Sequence, residues 1–186
     1  MNELTVDSAV PTLHAGGVVA YPTEAVWGLG CDPANEAAVL KLLRLKQRPV
    51  EKGMILVAAD LAQLDGWVSV NQLPADRRAE VLASWPGAHT WILPAGTRAP
   101  RWITGHHTGI AVRISAHPLV AALCRAWGGP LVSTSANLAG HPPARTRAEL
   151  DPALLALLDG LVDGATGGLA QPTPIRDALT GQVLRT

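Results

Sequence analysis

Residues 130–137 read Pro130-Leu-Val-Ser-Thr-Ser-Ala-Asn137. The run starts as a short apolar β-type segment and breaks into three hydroxyls and an amide. Hydroxyls are costly to bury without partners. Such a run reads as a strand whose C-terminal end opens into a site. If the segment stays extended, Ser133, Ser135 and Asn137 project to one face. The plainer alternative is a strand leading into a helix N-cap or an Asx turn.

The rest of the chain supplies the frame for that strand. Helical spacing or cap signals mark Val6 to Ala15, Ala34 to Leu45, Pro74 to Ser84, Pro118 to Trp127 and Pro152 to Leu158. Short apolar runs predict strands at Val18 to Tyr21, Met54 to Ala58, His89 to Pro94, Gly109 to Ile114 and Leu131 to Ser133. Leu161 to Asp163, Ile175 and Gln182 to Leu184 are candidates for further short strands. Some strand connections are too short for helical crossovers, so the expected sheet is mixed. Gly164 to Pro174 is rich in Gly, Pro and Thr and reads as a loop. One domain over residues 1–186 is expected, with 164–186 forming that loop and a short C-terminal arm.

Composition narrows the function classes. Of 186 residues 48% are hydrophobic and 16% charged, which fits a globular chain and not a disordered one. The formal net charge is zero, so bulk charge does not announce a nucleic-acid binder. No apolar run is long enough for a membrane span. The N-terminus lacks the basic and apolar regions of a secretory signal, so a cytoplasmic protein is expected. Cys31 and Cys124 are isolated and read as free thiols. Neither a P-loop nor a GxGxxG turn is present, so a nucleotide site must use another scaffold. No Cys/His set has zinc spacing, and nothing resembles GxSxG.

The chain has only three lysines, Lys41, Lys46 and Lys52. Two of them bracket Lys46-Gln-Arg-Pro-Val-Glu-Lys52, a cationic loop after a helix. This can be a solvated helix C-terminus, where cations complement the macrodipole. Paired with a Ser/Asn strand end, it can also hold a polyphosphate beside a small polar substrate.

Taken together the segments resemble the YrdC family. The resemblance is carried by Gly17-Val-Val-Ala-Tyr-Pro-Thr-Glu-Ala-Val-Trp-Gly-Leu-Gly30, Leu45-Lys-Gln-Arg-Pro49, Ala111-Val-Arg-Ile114 with His117-Pro118, and Pro130 to Asn137, in order and spacing. It spans nearly the whole chain, and Ile175-Arg-Asp-Ala-Leu-Thr-Gly181 with Arg185 fits the short bacterial form. The resemblance implies an α/β fold, a twisted open mixed sheet flanked by helices around a concave basic cavity. It implies a nucleotidyltransferase that converts L-threonine, bicarbonate and ATP to threonylcarbamoyl-AMP and pyrophosphate. The product would serve N6-threonylcarbamoyladenosine formation in tRNA with the partners TsaB, TsaD and TsaE. A non-catalytic module binding tRNA or double-stranded RNA is the alternative.

By the same resemblance, Lys46, Arg48, Lys52, Ser135, Asn137 and Arg185 face ATP, with Lys46, Arg48, Ser135 and Asn137 carrying the catalysis. Thr23, Arg113, Ser133 and Thr173 surround threonine, with Arg113 suited to fork its carboxylate. Mg²⁺ is expected to arrive with ATP, its ligands mostly phosphates and water. The chain departs from the pattern in three places. Trp27 stands for a Tyr or Phe, Thr173-Pro174 stands for a Ser-Thr pair, and a histidine common after the cationic loop is not found around Leu56-Val57-Ala58.

Read as loop-borne charges with no core role, Lys46→Ala and Arg48→Ala are each expected to abolish synthesis and leave the fold intact. Normal turnover in both variants would remove the phosphate assignment.

Overall fold

The computed structural model describes residues 2–138 and 140–185. Ten strands form its sheet: β1 (Glu3–Leu4), β2 (Val19–Pro22), β3 (Trp27–Gly30), β4 (Ile55–Ala58), β5 (Thr90–Pro94), β6 (Gly109–Ile114), β7 (Leu131–Ser135), β8 (Gly160–Val162), β9 (Ile175–Asp177) and β10 (Val183–Arg185). Their order is β1-β8-β2-β3-β7-β4-β6-β5-β9-β10, an open sheet. The pairs β1/β8, β2/β8, β4/β6 and β5/β9 are parallel and the others antiparallel, so the sheet is mixed. The helices are α1 (Val6–His14), α2 (Glu36–Leu45), α3 (Ala75–Ala83), α4 (Arg101–Thr104), α5 (Pro118–Trp127) and α6 (Pro152–Leu155).

The two faces of the sheet explain where a site can lie. In register, Leu56 neighbours Val112 on one side and Val132 on the other. These three join the larger core with Val39, Leu42 and Leu43 of α2. Alternation sends Val57 and Leu131 to the opposite face. There they pack with Ala9 and Leu13 of α1 and Val120 and Leu123 of α5. Two residues along the same strands, Ile55 and Ser133 are also register partners, but they line a cavity. The cover of α1 and α5 thus gives way to the cavity in the middle of that face.

Strand β1 and helix α4 were not anticipated, and three further differences from the sequence reading bear on the frame of the site. Strand β3 was not anticipated, because Gly28 and Gly30 disfavour strands. The glycines are there because the sheet has no room for more. A Cβ on Gly30 would lie 2.5 Å from the Val132 carbonyl oxygen and 2.7 Å from the Tyr21 ring. With β3 in place, β7 extends through Ser135, since Gly28 pairs with Ser135 and Leu29 with Thr134. The last helix stops at Leu155, where Leu157 and Leu158 turn with i→i+3 bonds to Leu154 and Leu155. That turn delivers Asp159, which accepts from the Val18 amide at 2.6 Å and pairs with Lys41, to the head of β8.

Gly30→Ala forces a methyl into backbone and ring, and overpacking of this kind costs about 1–3 kcal/mol. Urea denaturation is expected to show a loss in that range. An unchanged midpoint would contradict the tight β2–β3–β7 packing.

Candidate active site

Helix α2 starts at Asn35, whose side chain accepts from the Ala38 amide at 3.1 Å. Its end is a Schellman turn: the Arg48 amide donates to Leu43 at 3.0 Å and the Gln47 amide to Arg44 at 3.1 Å. The left-handed residue of the turn is Gln47, with φ 47°, where glycine is usual. That conformation costs a non-glycine residue about 1–2 kcal/mol. The turn sends Lys46 inward and carries Arg48 to the cavity wall.

Lys46 is buried, unlike a solvated loop residue. Its Nζ donates to the Ser135 carbonyl at 2.6 Å, the Asn137 carbonyl at 2.5 Å and Asn137 Oδ1 at 2.9 Å. An ammonium has three donors, and all three are engaged. The expectation that Lys46→Ala leaves the fold intact is therefore corrected, because the side chain ties the end of α2 to the end of β7. Asn137 is equally committed. Its Oδ1 also accepts from Ser135 Oγ at 2.6 Å, and its Nδ2 donates to the Leu138 and His141 carbonyls. Asn137 thus organises its own loop. Ser135 keeps acceptor capacity on its hydroxyl.

The other cations crowd together. Arg48 donates to the Gly53 carbonyl at 2.9 Å, while its buried Nε has no partner. Burial and then the charge of Arg185 lower its pKa. Arg185 ends β10 at the cavity mouth, exposed as a whole residue, with its guanidinium lowered by desolvation and then by Arg113. Lys52 is exposed on the rim. Like charges brought this close favour an anionic ligand.

Arg113 lies deeper, held at its far end. Its Nη1 donates to Thr173 Oγ1 at 2.7 Å and Thr90 Oγ1 at 3.3 Å, and Nη2 lies 3.3 Å from Glu24 Oε2. Arg113 and Glu24 are both buried. Glu24 Oε1 accepts from Ser115 Oγ at 2.6 Å. Thr173 therefore steadies Arg113 and shares a 2.9 Å hydrogen bond with Thr90. Thr23 donates its hydroxyl to the Val26 carbonyl at 2.7 Å, closing the β2–β3 turn. Ser133 is buried on the cavity wall.

All ten residues singled out from the sequence line one cavity of about 980 Å³. The sequence reading missed Glu24, Ser115 and Thr90 as parts of this network. Glu24 stood in the segment that carries the resemblance but was given no role there. Thr90 and Ser115 had no local signal at all. The 164–174 loop crosses the site, with the Gly167 amide donating to the Thr23 carbonyl and Leu169 to Glu24. Among the described residues, no group of three or more His, Cys, Asp or Glu side chains converges as a metal site.

Burial and then Arg48 lower Lys46 from 10.5 to about 8. Between those values the unfolded chain holds the proton and the folded chain does not, so this group makes stability rise with pH in that window. The site meanwhile loses a positive charge. Affinity for ATP, measured by titration, is expected to be full below about pH 8 and to fall about tenfold above it. Lys46→Met should bind weakly and flatten the profile. A flat profile in the unaltered chain would contradict a charged Lys46 at the site.

The family Sua5_yciO_yrdC, described as "Telomere recombination", matches residues 11–186. A Stenotrophomonas maltophilia protein named threonylcarbamoyl-AMP synthase is 78% identical over 186 residues, covering 100% of both chains. The structure of P. abyssi Sua5 complexed with L-threonine is 30% identical with a TM-score of 0.84, over 92% of this chain and 50% of that one. The chain thus spans about half the length of that relative. E. coli YciO is 25% identical with a TM-score of 0.80, over 97% of this chain and 90% of its own. No described helix is long and apolar enough to cross a membrane. The chain belongs to the Sua5/YciO/YrdC family.

Proposed function

We infer that this chain is a threonylcarbamoyl-AMP synthase. The observation that carries the reading is one cavity with two unlike ends. At one end Arg48, Lys52 and Arg185 line the wall and rim together, the cationic lining a polyphosphate site requires. At the other, buried Arg113 stands among Thr23, Ser133 and Thr173, a size and polarity that suit a small hydroxylated amino acid.

The chemistry follows from the placement. Threonine's amine combines with bicarbonate to give a carbamate, which is unstable in water. A carbamate oxygen then attacks the α-phosphorus of ATP, the bond to the β-phosphate oxygen breaks, and pyrophosphate leaves. No covalent enzyme intermediate is needed. Catalysis is positioning plus stabilisation of the charge that builds on the phosphates. Arg48 can bind two phosphate oxygens at once, and Lys52 and Arg185 add charge from the rim. Lys46 acts through its field and by holding Ser135 and Asn137 opposite Arg48. A direct Lys46–phosphate contact requires it to release one of its three oxygens. Arg113 forks the threonine carboxylate, steadied by Thr173.

The two cavity carboxylates do not make a cation cage. Glu24 has one oxygen fixed by Ser115 and the other beside the Arg113 guanidinium, and Asp177 Oδ1 caps the turn at Leu179 and Thr180, so the two do not offer the several oxygens a bare Mg²⁺ needs. Mg²⁺ therefore belongs to the ATP phosphates as part of the substrate. Transfer of the product to tRNA, with TsaB, TsaD and TsaE, and a tRNA contact belong to the same proposal, as does action in the cytoplasm.

Pyrophosphate release with ATP, Mg²⁺ and bicarbonate is expected to depend on L-threonine and to be weaker with serine. Arg113→Ala should raise the KM for threonine about tenfold or more and leave that for ATP nearly unchanged. Absence of release from folded protein would overturn the synthase reading, and equal effects on both KM values would overturn the carboxylate role.

A further inference from the structure

An amino acid brings an ammonium as well as a carboxylate into this cavity. Five cationic side chains line it: Lys46, Arg48, Lys52, Arg113 and Arg185. An ammonium among them is repelled unless a carboxylate meets it. Among the described lining residues the carboxylates are Glu24 and Asp177. Asp177 sits at the β9–β10 turn, where its Oδ1 accepts two backbone amides. Glu24 is the one placed beside Arg113.

The geometry around Glu24 is that of a held but incomplete site. Its Oε1 is fixed by the Ser115 hydroxyl at 2.6 Å, and Ser115 in turn accepts from the His117 amide at 3.1 Å. Its backbone carbonyl accepts from the Leu169 amide. Its Oε2 is buried and makes no hydrogen bond, although Arg113 Nη2 is only 3.3 Å away. A buried carboxylate oxygen left without a hydrogen bond is costly. Arg113 Nε is buried without a partner as well. Glu24 and Arg113 thus present a negative and a positive group side by side, each with an unused position. A zwitterionic amino acid carries the opposite pair with a similar spacing.

We propose that Glu24 receives the ammonium group of the amino-acid substrate and takes up the proton it must lose before carbamate formation. The proposal rests on the synthase reading above. The protonated amine gives one proton to the Glu24 carboxylate and becomes a neutral amine. Its lone pair forms the nitrogen–carbon bond to bicarbonate. One N–H hydrogen leaves with the bicarbonate hydroxyl as water, and the carbamate carries the negative charge toward ATP. The proton on Glu24 passes to solvent when the product leaves. The Arg113 guanidinium, freed from a poorly aligned ion pair, keeps the substrate carboxylate.

The test compares two ligands by calorimetry on the full chain: L-threonine, and the hydroxy acid in which a hydroxyl replaces its amine. The unaltered protein is expected to prefer threonine about a hundredfold. Glu24→Gln keeps the size and the Ser115 contact. It should weaken threonine at least tenfold, leave the hydroxy acid and ATP unchanged, and lower kcat at saturating threonine about a hundredfold. If Glu24 only steadies Arg113, both ligands weaken alike in Glu24→Gln, and the proposal is overturned. An unchanged kcat overturns it too. Should Glu24→Gln fail to fold, the unaltered protein decides, since equal affinity for the two ligands removes any ammonium seat. Failure of the unaltered protein to release pyrophosphate with threonine would instead sink the synthase reading, which separates the two failures.

Discussion

The Lys46 ammonium is the constraint on which the site depends. It joins two elements far apart in sequence, the end of α2 and the end of β7, through three oxygens of Ser135 and Asn137. Strand β3 holds the end of β7 in the sheet through Ser135 and the Ala136 amide, and Lys46 adds the tie from that end to the cationic loop. The joint is a set of buried, charge-assisted hydrogen bonds to neutral oxygens, and desolvation of the ammonium opposes it, as the lowered Lys46 pKa records. The Schellman turn at Gln47 makes the joint possible. It reverses the chain within two residues, so Lys46 turns inward while the next cation, Arg48, lines the cavity wall with its guanidinium bonded to the Gly53 carbonyl.

A second joint works at the other end. Arg113 on β6 is held by Thr90 on β5, Thr173 at the foot of the C-terminal arm and Glu24 in the β2–β3 turn. Strand β9 pairs in parallel with β5, so the arm is part of the sheet and brings Thr173 back to Arg113. The crossing loop is also tied at His117, whose Nε2 lies 3.0 Å from the Ala165 carbonyl oxygen. The amino-acid end is therefore assembled from segments spread over most of the chain. Its rigidity depends on the fold as a whole.

Between the joints the sheet changes character within single strands. Leu131 and Val57 are core, and two residues along the same face Ser133 and Ile55 are wall. The change comes where α1 and α5 no longer cover the sheet. Small hydroxyl side chains tolerate that border, because each can satisfy itself locally and still face a ligand.

Local sequence pattern specified the elements with strong period: the long helices, the apolar strands, and the hydroxyl-rich strand end with its cationic loop. It also determined the family resemblance, carried by order and spacing. Those signals are local, and local chemistry specifies them. Strand β3 was not legible, because its glycines answer to the Tyr21 ring and the Val132 carbonyl, which only folding brings near. The burial of Lys46, the commitment of Asn137 to its own loop, and the roles of Glu24, Ser115 and Thr90 were decided by tertiary structure. A side chain's hydrogen-bond partners set its function, and here those partners lie about 90 residues away for Lys46 and Ser115 and 60 for Arg113 with Thr173. No spacing rule within one segment reaches that far.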